Sequence, residues 1–240
     1  MILKRISTAI SERDWTAVAI EFAVVVLGIF VALQAEGWYQ EREDRRLEQV
    51  YISRITEETR ANLGMLRQYE QIYNDKVQFI MALPEMNLGQ VVENDPAAFM
   101  QRLDNSSYIA IPDMRSESFD ELESSGRLTL LRDANLRAEI VGNLNDYRST
   151  RPVLDNPIGG YRRLLFETLP GQSYYGFRNA SGAVDAAPIV AAIEIFRSDP
   201  RFGAAANAEI AYGTDVLFWV RVFAEGSEHV LDLLEASKSQ

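Results

Sequence analysis

The sequence contains no cysteine and a single histidine, His229. Missing thiols exclude a disulfide scaffold, a Cys-ligated zinc or iron–sulfur site and a cysteine nucleophile. One imidazole leaves little room for a His-rich metal site. A Ser-His-Asp triad would have to use His229, and no Gly-x-Ser-x-Gly run is present. Basic residues are in deficit, with 24 Lys and Arg against 35 Asp and Glu, so the net charge is −11. That balance argues against nucleic acid, whose binding rests on neutralising phosphates. Strand-like alternation is scarce, and there is no internal repeat or low-complexity tract. What remains is a chain with 47% hydrophobic and 25% charged residues, the balance of a folded protein.

The apolar residues are unevenly spread. From Ala17 to Ala35 the chain reads AVAIEFAVVVLGIFVALQA, with Glu21 as its one charge. As a helix this stretch is roughly 28 Å long, close to the hydrocarbon thickness of a bilayer. Trp15 on one side and Trp38 and Tyr39 on the other suit the headgroup depth, where aromatic rings anchor spans. A buried core helix is the competing reading, but the apolar surface runs all round and a polar helix follows directly. A cleaved signal peptide would suit the Lys4-Arg5 start. Cleavage after Ala35, however, would put Leu33 where a small residue is wanted. We therefore expect an uncleaved single-pass anchor: residues 1–14 juxtamembrane, 15–38 transmembrane and 39–240 extramembrane.

Orientation is balanced on the basic residues, with Lys4, Arg5 and Arg13 before the span and Arg42, Arg45 and Arg46 after it. The acidic excess lies wholly in residues 36–240, because the first 35 carry three basic and three acidic side chains. We expect the N-terminus in the cytoplasm and the domain in the periplasm. Glu21 shares a helical face with Gly28 and Ala32, a small-xxx-small pair that lets a second helix approach closely. Two readings stay open for Glu21. It faces a partner within the membrane, or it lies a turn inside the boundary, protonated or reaching outward. A proton relay lacks a second ionisable residue deeper in the span.

The run Glu21-Phe22-Ala23-Val24-Val25-Val26-Leu27-Gly28-Ile29-Phe30-Val31-Ala32-Leu33-Gln34, followed by Trp38, resembles an uncharacterised family of bacterial single-span membrane proteins. That family's pattern is a Glu, an apolar run, Gly-Ile-x-x-Ala-Leu-Gln and then a Trp. Ser118 to Leu128 looks like its aromatic-x-x-Leu-x-x-Ser-Gly turn. Where members carry Asn-Asn-Trp, this chain has Glu36-Gly37-Trp38. The resemblance implies a bacterial inner-membrane location and carries no reaction with it.

Beyond the span, no Pro interrupts Gln40 to Leu83, and apolar residues recur at Leu47, Tyr51, Ile55, Leu63, Leu66, Tyr69, Tyr73, Val77 and Ile80. These steps are helical. The helix would extend about 65 Å beyond the bilayer before Pro84 stops it. Its heptad fit is imperfect, which favours packing against later helices over a free-standing coiled coil. Residues 85–115 are mixed, with Pro96 opening a short helix to Leu103. Ser116 and Asp133 cap two more helices. Gly126 ends the first, and Pro152 and Pro157 interrupt or kink the second before Tyr161–Leu169. Residues 170–187 read as a loop, Pro188 opens a short helix to Phe196, and a last long helix covers about 200–236. The expectation is all-α: a single N-terminal span continuing into a long helix of an antiparallel helical bundle.

Few residues suggest chemistry. Glu225 and Glu228 lie near His229, but a helical di-iron site needs Glu-x-x-His twice with two further Glu. Asp120, Glu121 and Glu123 could do acid–base work, yet at a helix start they complement its dipole. Tyr174, Tyr175 and Phe177 crowd the Gly-rich loop. They either contact another protein, as loop aromatics at interfaces do, or fold back over the bundle. We expect no catalysis, cofactor, metal or nucleic acid. The expected partners are the lipid bilayer and integral-membrane proteins or a second copy. The functional expectation is an accessory or scaffolding subunit of an integral-membrane complex, whether respiratory, photosynthetic, transport or envelope. A self-associating membrane sensor is the alternative, and a carboxylate-based enzyme the remote one.

Overall fold

The computed structural model describes residues 15–157, 159–169 and 185–237, with side chains from Ile20 onward. Among the described residues there are eight α-helices, two 3-10 turns and no strand, so the fold is all-α. The chain divides into two units, one ending at Val50 and one beginning at Tyr51. Helix α1 runs Trp15–Ala82 and belongs to both. It ends where Pro84, which has no N–H to donate, enters the 3-10 turn Leu83–Glu85.

The second unit builds its helices from short-range signals in the sequence. Helix α2 (Leu88–Asn94), which the sequence reading leaves as irregular chain, is capped by Asn87, whose side chain accepts from the Gln90 N–H at 3.3 Å. Asp95 caps α3 (Pro96–Ser106) in the same way, with Pro96 in the first turn. Helix α4 (Glu117–Ser124) ends at Gly126, whose φ of 69° is the left-handed conformation that glycine tolerates best. The Arg127 N–H donates to Leu122 O and the Gly126 N–H to Glu123 O, which completes a Schellman stop.

Helix α5 (Ala134–Leu154) is capped by Asp133 and carries Pro152 inside it. Pro152 sits in its last turn, and the helix stops at Leu154, ahead of Pro157, so the expected interruption before Tyr161 falls between the two prolines. After α6 (Gly160–Thr168), helix α7 (Ala186–Ser198) starts two residues before Pro188, since Asp185 supplies the cap. Proline is tolerated in that first turn, where the N–H is unpaired anyway. Helix α8 is Phe202–Ser237.

Within the second unit α1 and α8 run antiparallel. The ion pairs Arg60–Glu235, Arg67–Glu228, Glu70–Arg221 and Lys76–Glu209 climb one helix while descending the other. The inner stripe of α1 is Ile52, Ile55, Thr59, Asn62, Leu66, Tyr69, Tyr73, Lys76 and Ile80, in alternating steps of three and four. That of α8 is Ala206, Glu209, Gly213, Val216, Val220, Phe223, Ser227, Val230 and Leu234, in the same alternation. Both are heptad seams.

The seams close on two apolar clusters. One gathers Phe79, Ile80 and Leu83 with Phe196, Phe202 and Ala206. The other gathers Leu66 and Tyr73 with Tyr147, Tyr212, Val216, Val220 and Phe223. Burial of these side chains is what holds the bundle, at about 1.5–3 kcal/mol for each large one. Lys76 and Glu209 lie in the interval between the two clusters on their respective helices.

Candidate functional site

The first unit contributes one feature, the apolar part of α1. One helix is long and apolar enough to cross a membrane, and its apolar stretch is entirely unburied. Phe22, Leu27, Phe30 and Leu33 are exposed all round it, as are Trp38 and Tyr39 at its end. A helix apolar on every side has no water-soluble solution to its surface; a bilayer supplies one. Glu21, Gly28 and Ala32 are exposed on this helix. A Cβ placed on Gly28 would meet nothing within 4 Å, so the groove there is open. Trp15 opens α1, but its side chain lies outside the described residues, as do Tyr174, Tyr175 and Phe177 altogether.

The second unit holds a buried ionic centre that the sequence reading did not single out. The side chains of Lys76 and Glu209 are 0% and 3% exposed. Lys76 Nζ donates to Glu209 Oε1 and, at 2.6 Å, to the Tyr108 carbonyl. Its charge lies 5.2 Å from the Tyr73 ring centre and 5.5 Å from that of Tyr212, within cation–π range of both. The two rings meet edge-on at 6.5 Å, and each hydroxyl is tied to backbone: Tyr73 donates to Ala110 O and Tyr212 to Leu154 O. Burial lowers the Lys76 amine from its usual 10.5, and the charge and hydrogen bond of Glu209 oppose that fall. Burial likewise raises the Tyr73 and Tyr212 hydroxyls, so both stay neutral donors. The one available signal was spacing: Lys76 is three residues past Tyr73 and four before Ile80, on the apolar face.

From this centre α1 grips the irregular segment between α3 and α4 by its backbone. Lys76 and Tyr73 hold the carbonyls of Tyr108 and Ala110. Asn62 exchanges two bonds with the backbone of Arg115, and Glu58 accepts from the N–H and hydroxyl of Ser118. Glu58 thereby supplies the cap of α4 that Ser116 does not make, since the Ser116 hydroxyl donates to Asp120 instead. Tyr147 of α5 closes the far side, accepting from Met114 N–H and donating to Pro112 O. Beside Asn62 lies a void of about 20 Å³ lined by Thr59, Asn143 and Ser227, with room for one water.

The other polar candidates are paired at the surface. Asp120 accepts from Arg148, Glu121 from Tyr51 and Arg54, and Glu123 lies 3.7 Å from Arg148, so this acidic group joins α4 to α1 and α5. His229 is about half exposed and 3.9 Å from Glu139. Among the described residues no group of three His, Asp or Glu side chains is placed to hold a metal. An open groove of about 420 Å³ beside α6 is lined by Ile109, Arg162, Arg163 and Phe166. Comparison of the chain with protein-family models, curated proteins and solved structures finds no match.

Proposed function

We propose that the chain is a single-pass protein of the bacterial inner membrane, with its N-terminus in the cytoplasm and its bundle in the periplasm. There it serves, without catalysis, as an accessory or scaffolding subunit of an integral-membrane complex. The observation that carries this reading is the wholly unburied apolar stretch of α1. Its open face at Gly28 and Ala32 supports contact with partner helices, and the resemblance of residues 21–38 to a bacterial single-span family supports the location. The buried seams of the second unit support a rigid body suited to holding a position.

The test is solubilisation of membranes in mild detergent, native electrophoresis and mass spectrometry of what co-migrates. Stoichiometric co-migration with an integral-membrane assembly is expected; migration only as a monomer or homodimer would reject the subunit reading. Gly28→Leu should weaken that co-migration, and an unaltered pattern would remove the helix contact from the account. An alkaline phosphatase fusion after Gln240 should be active, and an inactive, stable fusion would reverse the orientation.

A further inference from the structure

We infer that segment 108–112 is an open strand edge, which docks an acidic, extended peptide of a partner protein in the groove beside α6. The segment has no turn or bend. From Tyr108 to Ser118 the chain runs back along α1 from Lys76 to Glu58, about 33 Å of extended chain against about 27 Å of helix. In an extended chain the N–H and C=O of one residue point to one edge, and those of the next residue to the other. The carbonyls of Tyr108, Ala110 and Pro112 point to the bundle, where Lys76, Tyr73 and Tyr147 donate to them. The N–H and C=O groups of Ile109 and Ile111 therefore face the opposite edge. Among the described residues none of these groups has a hydrogen-bond partner.

Ile109 also lines the open groove of about 420 Å³ whose far wall is α6, a volume ordinary for a ligand cleft. Arg162 and Arg163 line that wall, and neither has an ion-pair partner among the described residues. The Arg162 guanidinium lies 5.3 Å from the Phe166 ring centre, and the carboxylate of Glu167 is taken by Arg201 at 2.8 Å. Two adjacent cations without counter-ions, in a chain of net charge −11, select an acidic occupant. A strand laid on the edge makes about four main-chain bonds through Ile109 and Ile111, and its carboxylate on the arginines gives specificity. Lys76, Tyr73 and Tyr147 already hold the inner edge in place, so docking costs little further ordering. The contact belongs to the bundle and does not depend on the membrane reading of α1.

The test uses the full-length protein in detergent and synthetic peptides of alternating Val and Thr, carrying Glu at each position in turn. Saturable binding is expected below about 1 mM for acidic members of the set, and none for the same peptides with Lys in place of Glu. Hydrogen–deuterium exchange at Ile109 and Ile111 should slow only when peptide is bound. N-methylating alternate residues of the peptide should abolish binding in one phase and spare it in the other, with the protein itself unaltered. Arg162→Gln/Arg163→Gln should lower affinity for the acidic peptides by about tenfold or more. Ile109→Pro should cost about tenfold, since it removes one donor from the open edge and leaves the Tyr108 carbonyl bonded. No saturable binding by any acidic peptide up to that limit, or binding that neither N-methyl phase weakens, would overturn the inference. So would slow exchange at Ile109 and Ile111 in the free protein. The edge would then be filled already by this chain or, if protection rises with protein concentration, by a second copy.

Discussion

Asn62 and Arg115 exchange two hydrogen bonds of 2.8 Å, the Asn62 amide donating to the Arg115 carbonyl and its oxygen accepting from the Arg115 N–H. A single side chain thus does for an irregular segment what a neighbouring strand would do in a sheet. Asn62 is buried in the α1 seam, so water replaces these bonds poorly. Asn62→Ala should destabilise the second unit by about 2 kcal/mol, from two lost bonds and partly unsatisfied backbone groups. Urea denaturation of the two proteins checks this; a change under about 0.5 kcal/mol would mean that solvent already serves that backbone.

Gly213 and Gly64 should respond to alanine with opposite signs. A Cβ on Gly213 would stand 2.9 Å from Val77 Cγ2, a branched side chain with little rotamer freedom. Gly64 is exposed in the middle of α1 and a Cβ there meets nothing within 4 Å. Gly64→Ala should stabilise by about 0.5–1 kcal/mol through helix propensity. Gly213→Ala gains the same propensity but pays an overpacking penalty of about 1–3 kcal/mol, so the net effect is destabilising. Thermal melts order the three proteins, and adding Val77→Ala to Gly213→Ala should recover most of the loss.

How much of this was legible from the sequence follows from where each signal is stored. The apolar stretch of α1, the long first and last helices and the stops at Pro84 and Gly126 are local, set by composition or by one special residue. Helix α2 was missed because its signal is one capping Asn before a seven-residue run, too short for periodicity. The heptad of α1 looked imperfect because Thr59, Asn62 and Lys76 occupy core positions, and apolar counting skips them. Their burial depends on partners far along the chain: Arg115 for Asn62, Glu209 for Lys76. No one-dimensional pattern records such a pairing. The lesson is to ask what polar residues do when they fall on the three-four step.

Asp199 should titrate unusually low. Its carboxylate accepts from the Arg201 guanidinium through both oxygens and from the Arg201 N–H, which holds it at about 2 instead of 3.8. A carboxylate lowered on folding contributes stability above its unfolded value and loses it as pH falls toward 2. Carbon-detected NMR of the side-chain carboxyl should give a midpoint near 2. Arg201→Gln should move that midpoint up toward the ordinary value, leaving the backbone bond in place. A midpoint unchanged by the substitution would show that the guanidinium is not the cause.

The lysine of the buried pair gives a pH dependence of the same sign at the alkaline end of the scale. Burial lowers the Lys76 amine below 10.5, and Glu209 pulls it back up by charge and by hydrogen bond. A base whose folded value is lowered binds fewer protons folded than unfolded over the interval between the two values. Stability therefore rises with pH up to 10.5 and falls as pH drops through the folded value. Glu209→Gln removes the opposing charge and deepens the lowering, so the interval widens. Compared with the parent, this variant should recover more stability as pH is raised from neutral toward 10.5, its urea midpoint climbing while the parent's climbs less. Measuring both midpoints across that range decides it. Parallel curves would mean that the Glu209 charge does not set the protonation of Lys76, and that the amine is held by the Tyr108 carbonyl and the two rings alone.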